Sequence, residues 1–208
     1  MSTFFPLSII VFPGEKVNLH IFEPRYRQLI GECLATDSTF GIPSYLNNRM
    51  PGLGTEIKLE KLVQQYDDGK MDIKTVGLSV FKVLTFENPV RDKLYSGGRV
   101  QTLDNNLSDD APQAGLLRKE IERIEKLLEV SIPIANHLPL SYQIGHKIGL
   151  SPEQEYELLG ILSERERQAY LLDHLNKAIP VIEQMEKAKK IIRMNGHFRY
   201  LDPLNLES

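Results

Sequence analysis

The sequence predicts an α+β fold in which a strand-rich first half, a barrel or sandwich, precedes a helical second half. Three observations carry that expectation. Residues 1–103 show short period-two runs separated by turn signals such as Pro13-Gly14 and Asp67-Asp68-Gly69. One amphipathic helix interrupts them, with Tyr26, Leu29, Ile30, Cys33 and Leu34 at i, i+3, i+4, i+7 and i+8. Beyond the acidic, polar stretch D-N-N-L-S-D-D-A-P, the apolar period becomes helical and stays so. The expected organisation is a strand subdomain over residues 1–103, a linker over 104–112, a helical bundle over 113–196 and a tail over 197–208.

Residues 4–12 are almost continuously apolar, which suits a buried strand. Pro13-Gly14 then turns the chain. Val17, Leu19 and Ile21 alternate with Asn18, His20 and Phe22 in a strand with one buried face. Glu23-Pro24 ends it, and Pro24 suits the first helical position, where its missing N–H is not needed. A short strand over 40–42 stops at Pro43, and a loop rich in Asn, Pro and Gly follows over 44–52. Strands over 54–66 and 71–76 flank the Asp-Gly hairpin signal. Gly77 predicts a bulge or sharp bend. Further strands are expected over 78–86 and 95–103.

In the second half, Leu117, Ile121, Ile124 and Leu128 share one face of a helix over 113–130. A short helix over 141–147 ends before Gly149. Ser151-Pro152-Glu153-Gln154 has the pattern of a capping box. Ser163 opens a last helix that reaches towards Asn195, with Glu164 and Glu166 at its positive end. Pro180 lies inside it and is expected to kink or break it.

The 208 residues carry a net charge of −3, so no basic excess drives binding to phosphate backbones. One cysteine, Cys33, cannot form an internal disulfide and suits a reducing, cytoplasmic setting. It reads as a small buried hydrophobe. No basic, apolar and small-residue succession marks a signal peptide, and no apolar run approaches the ~20 residues of a membrane span.

The stretch F-P-G, then L-H-I-F-E-P-R-Y-R, then Phe40-Gly41-Ile42, resembles the signature of the Lon protease N-terminal, or substrate-binding, domain. Its residues here are Pro13, Gly14, His20, Phe22, Glu23, Pro24, Arg25, Tyr26, Arg27, Phe40 and Gly41. The H-I-F-E-P-R-Y-R form is similar to stand-alone members of that family. The resemblance covers both halves. It implies a PUA-like mixed β-barrel followed by a helical bundle, including an L-S-P-E-Q-E helix. Family members often carry arginine a few positions after the glycine matching Gly77, where this chain has Val80. The chain ends at Ser208, where the full protease continues into ATPase and peptidase domains. The implied function is non-catalytic polypeptide binding without a cofactor, with polypeptide substrates or a protease or chaperone as partners, in proteolysis or quality control.

The residues offer little catalytic chemistry. There is no G-x-x-x-x-G-K-[ST] loop, no H-E-x-x-H or C-x-x-C pattern and no G-x-S-x-G. His20, Glu23, Arg25 and Arg27 are the best catalytic candidates, and a small hydrolase using His20 and Glu23 is the alternative reading. Their structural reading is a helix start held by ion pairs. RNA binding through a PUA-like barrel is a second alternative, opposed by the acidic balance and the lack of an aromatic-basic cluster. For polypeptide contact the candidates are Tyr45, Leu46, Met50 and Leu53, apolar residues in a loop that belongs at the surface. The competing expectation is that they fold back and plug one end of the barrel.

Overall fold

A computed structural model describes residues 2–50, 52–106, 111–135 and 137–198. The strands are β1 (Ser2–Phe4), β2 (Lys16–Ile21), β3 (Phe40–Pro43), β4 (Leu53–Gln65), β5 (Met71–Val83), β6 (Ser96–Gly98) and β7 (Val100–Thr102). The helices are α1 (Pro24–Thr36), α2 (Ala111–Leu128), α3 (Leu140–Ile144), α4 (Pro152–Gly160) and α5 (Glu164–Phe198).

The strands form one mixed sheet in the order β2-β5-β4-β3-β1-β6, with β1 and β3 parallel and the other pairs antiparallel. β7 follows β6 after a single residue, Arg99, and pairs with β5. The sheet thus curls back on itself in a barrel-like path, with α1 packed into its core. The α+β expectation is met.

The expected strand over 4–12 is not one strand. β1 ends at Phe4; beyond it Phe5 N still donates to Gly41 O of β3 (2.8 Å) and Leu7 bridges to Ser44, and residues 8–12 belong to no strand. Their apolarity has another cause, because the segment serves two cores in turn. Phe5 and Val11 lie in the barrel core with Ile21, Tyr26, Leu29, Ile57 and Ile73. Ile10 and Phe12 face the helices, in a core with Val80, Leu117, Ile144, Leu158 and Leu171.

At Gly77 the two expected strands are a single strand, β5. A bulge sits beside it, because Thr55 and Ile57 of β4 pair with Val80 and Gly77, two steps against three. Gly77 is needed for close approach, since a Cβ there would lie 2.4 Å from the Phe12 carbonyl oxygen. Its N–H donates to Glu15 O (2.9 Å) and its carbonyl accepts from Gly14 N (2.8 Å), fastening the Pro13-Gly14 turn to the sheet. The predicted strand over 95–103 breaks at Arg99 into β6 and β7, and β5 stops at Val83, short of Phe86.

In the helical half, Leu117, Ile121 and Ile124 are buried as expected, whereas Leu128 is exposed at the helix end. The capping box forms, with Ser151 Oγ accepting from Gln154 N and Gln154 Oε1 from Ser151 N. α3 ends at Ile144; a Cβ on Gly145 would lie 2.6 Å from the Phe12 ring, and Gly149 takes φ +78° beyond it. α5 runs through Pro180 to Phe198. Pro180 and Asn176 are both exposed, so the carbonyl deprived of its N–H partner faces water. Of the expected linker, residues 107–110 lie outside the described residues, as does residues 199–208 of the expected tail. Asn105 and Asn106 are docked on the helices, through Asn105 Nδ2 to Tyr142 Oη (2.8 Å) and Asn106 N to Leu162 O (2.8 Å).

Candidate functional site

The loop over 44–52 is built on a tight turn. Leu46 and Arg49 exchange backbone hydrogen bonds of 2.8 and 2.9 Å, while Asn47 and Asn48 take φ of +50° and +59°. Asparagine tolerates this left-handed conformation better than most residues. Ser44 N donates to Leu53 O and Tyr45 N to Leu7 O, fixing both ends. The loop tip is tied to α4 by Asn47 Nδ2 on Glu153 Oε1 (3.1 Å).

This turn separates the four loop candidates into two pairs. Leu46 and Leu53 pack against the core shared by sheet and helices. Leu53 N donates to Tyr156 Oη on α4 (3.0 Å). Tyr45 and Met50 instead line a cavity of about 390 Å³, together with Arg25, Tyr26, Phe86 and Asn88. Tyr45 is 39% exposed and Phe86 43%, so the rim is wet, while Tyr26 forms a buried floor against Phe5 (ring centroids 3.8 Å). The Arg25 guanidinium lies 4.4 Å above the Tyr26 ring and is held by Glu23 at 2.8–2.9 Å. Burial pushes the Tyr26 hydroxyl pKa up, against the opposing pull of Arg25. The wall is therefore aromatic and thioether, with one guanidinium and one amide at its edge, a suitable lining for an apolar side chain and a flanking peptide group.

The remaining signature residues are placed as follows. Glu23 is the N-cap residue of α1, with Pro24 behind it, and makes no side-chain cap. Arg27 Nη1 donates to Asp68 O (2.6 Å), joining α1 to the β4–β5 hairpin. Phe40 is buried, and a Cβ on Gly41 would lie 2.8 Å from the Phe81 ring. Pro13 and Gly14 border the sheet–helix seam. His20 Nδ1 donates to Asp72 Oδ1 (2.6 Å), whereas Glu23 is engaged by Arg25. His20 and Glu23 thus have separate partners. Among the described residues no group of His, Cys, Asp or Glu is placed to hold a metal ion.

Phe86 and Asn88 were missed by sequence reasoning. Phe86 looked like the end of a strand, and Asn88 precedes Pro89 in a turn with no distinguishing signal.

Comparison with known families matches residues 3–177 to the model of the ATP-dependent protease La (LON) substrate-binding domain. The chain belongs to this family. Among solved structures, this LON-family chain is similar to a Lon N-terminal domain protein from Xanthomonas campestris, at 28% identity and TM-score 0.64, over 83% of this chain and 96% of that one. It also shares the fold of the N-terminal domain of the Mycobacterium avium complex Lon protease, at 20% identity and TM-score 0.62, over 84% and 97% of the two chains. No curated protein matches it. No described helix of this LON-family chain is long and apolar enough to cross a membrane.

Proposed function

We propose that the chain is a non-catalytic polypeptide-binding module that captures exposed apolar side chains in the cavity beside Tyr45, Met50, Phe86 and Tyr26. It serves a separate protease or chaperone in proteolysis or quality control. The observation that supports this is the orientation of Tyr45 and Met50. In a chain matched to a substrate-binding domain, they line an open cavity while their neighbours Leu46 and Leu53 face the core. A cavity of about 390 Å³ takes one large side chain rather than a folded surface. Arg25 and Asn88 at its edge offer donors to the peptide groups on either side.

Fluorescence anisotropy with a labelled, permanently unfolded protein such as carboxymethylated α-lactalbumin tests it. Tyr45→Ala with Met50→Ala weakens binding by about 1–3 kcal/mol and leaves the melting temperature nearly unchanged. Leu46→Ala with Leu53→Ala does the reverse, costing several kcal/mol of stability as cavities form in the shared core. Unaltered binding by the first pair contradicts the reading.

A further inference from the structure

A bulge in β4 shapes a second surface, on the outer face of the sheet. There Val76 of β5 stands between Lys16 of β2 and Lys58 of β4, and Lys74 stands between Asn18 and Lys61. Val76 and Lys74 are two residues apart on one strand, so both rows project to the same side. All four lysines are exposed, whereas Ile73 and Thr75, on the opposite side of β5, are buried.

The register sets the charges. Leu59 pairs with Thr75 and Lys61 with Lys74, so two steps on β4 answer one on β5. In a regular ladder Glu60 would oppose Lys74, an opposite-charge pair that stabilises a sheet. The bulge puts Lys61 there instead, and like charges directly opposite are destabilising. Glu60 reaches over to Lys16 (3.6 Å). Among the described residues no carboxylate lies within ion-pair distance of Lys58, Lys61 or Lys74. Three uncompensated ammonium groups therefore stand together on two hydrogen-bonded strands.

Charge identifies the occupant. Ammonium groups held this close are complementary to several closely spaced anionic groups. The next row along the strands is His20, Asp72 and Gln64, and both His20 Nδ1 and Tyr66 Oη bind the Asp72 carboxylate. A nucleic-acid backbone running on past the lysines meets that carboxylate, and the two nearby rings are committed to it. A short run of side-chain carboxylates between neutral residues fits the span that the lysines cover.

We propose that the outer face of β2, β5 and β4 binds an extended polypeptide through a run of two or three Asp or Glu side chains seated over Lys58, Lys61 and Lys74. This rests on the polypeptide-binding reading, but it takes acidic rather than apolar side chains and shares no residue with the Tyr45–Met50 cavity.

Two fluorescein-labelled twelve-residue peptides test it by anisotropy. Both are rich in Ser and Thr and free of basic, aromatic and large aliphatic side chains, and they differ only in a central Glu-Glu-Glu or Gln-Gln-Gln. The intact protein binds the Glu peptide about tenfold more tightly at low salt, and the preference shrinks as salt rises. Lys61→Gln with Lys74→Gln abolishes it. Lys61→Glu also abolishes it while raising the melting temperature, because it places opposite charges across the two strands. Lys119→Gln with Lys187→Gln, on the helices, leaves the preference intact. Tyr45→Ala with Met50→Ala does so too, so failure here and failure of the cavity reading are distinguishable. Equal affinity for the two peptides, or a preference lost equally with the helix lysines, overturns the proposal. Tighter binding of a twelve-nucleotide oligouridylate than of the Glu peptide overturns it in favour of RNA.

Discussion

Arg167 is fully buried, and its donors are all directed inward. Nε reaches Ser141 Oγ (2.9 Å) and Glu164 Oε2 (3.1 Å), Nη2 reaches Glu164 Oε2 (2.8 Å), and Nη1 reaches Asn105 Oδ1 (2.8 Å) and Ile161 O (2.7 Å). The guanidinium also lies 4.1 Å from the Tyr142 ring. One side chain thus ties α5 to α3, to the end of α4 and to the segment leaving the sheet. Arg167→Ala leaves Glu164 charged and without its cation in the interior, and costs about 3–5 kcal/mol in urea unfolding. Arg167→Lys recovers only part, because an ammonium has three donors where the guanidinium makes five hydrogen bonds to four acceptors. This hub was hidden in the sequence. Ser-Glu-Arg-Glu-Arg reads as a wet first turn, with Glu164 at the positive end of the helix dipole. Only the helical period separates Arg167 from its exposed neighbour Arg165, since Arg167 falls four and eight residues before Leu171 and Leu175 on the apolar face.

At the scale of the element, what could be read was what local chemistry controls. α1 begins at Pro24, the capping box closes α4, and the Asp-Gly hairpin joins β4 to β5, because each depends on residues within a few positions of one another. What failed was what depends on distant partners. Residues 5–12 read as a strand because they are apolar, but apolarity reports burial and not pairing. This segment is buried by passing between two cores. The loop over 44–52 shows the same limit. Tyr45 and Leu46 are adjacent and both apolar, yet a two-asparagine turn sends one to the cavity and the other to the core. Pairing the four as one candidate set was the natural reading without that turn. Pro180 does not break α5, and its exposed position leaves the unpartnered carbonyl to water.

At the scale of the whole molecule, sheet and helices are joined by one core and by one ionic latch. Phe12 is shared between them, stacked on Tyr142 at 5.2 Å and against His146 at 4.6 Å. His146 bridges the two halves, with Nε2 on Glu15 (3.1 Å) and Nδ1 on Glu155 (2.7 Å). Carboxylates only accept, so both ring nitrogens must carry protons. Burial by itself lowers the His146 pKa, but the hydrogen bonds it donates to Glu15 and Glu155 override it and raise the value to about 9. The folded value lies above the unfolded one of about 6.5. The latch therefore contributes fully below about 6.5 and is lost as pH rises towards about 9. His146→Ala lowers the melting temperature by a few degrees at pH 6, and the gap from wild type narrows by pH 9.5 in calorimetry to what the lost packing on Phe12 leaves. A gap that is constant with pH rejects the latch.

Whether polypeptide is held at the Tyr45 cavity is tested by photo-crosslinking at that position. Benzoylphenylalanine replaces Tyr45 in one preparation and Val130, an exposed residue two positions beyond α2, in another. Each is irradiated with labelled, unfolded α-lactalbumin. A polypeptide held in the cavity gives a crosslink at position 45 that excess unlabelled unfolded protein competes away, and background labelling at 130. Equal labelling at both positions, or none at 45 under conditions where anisotropy shows binding, contradicts it.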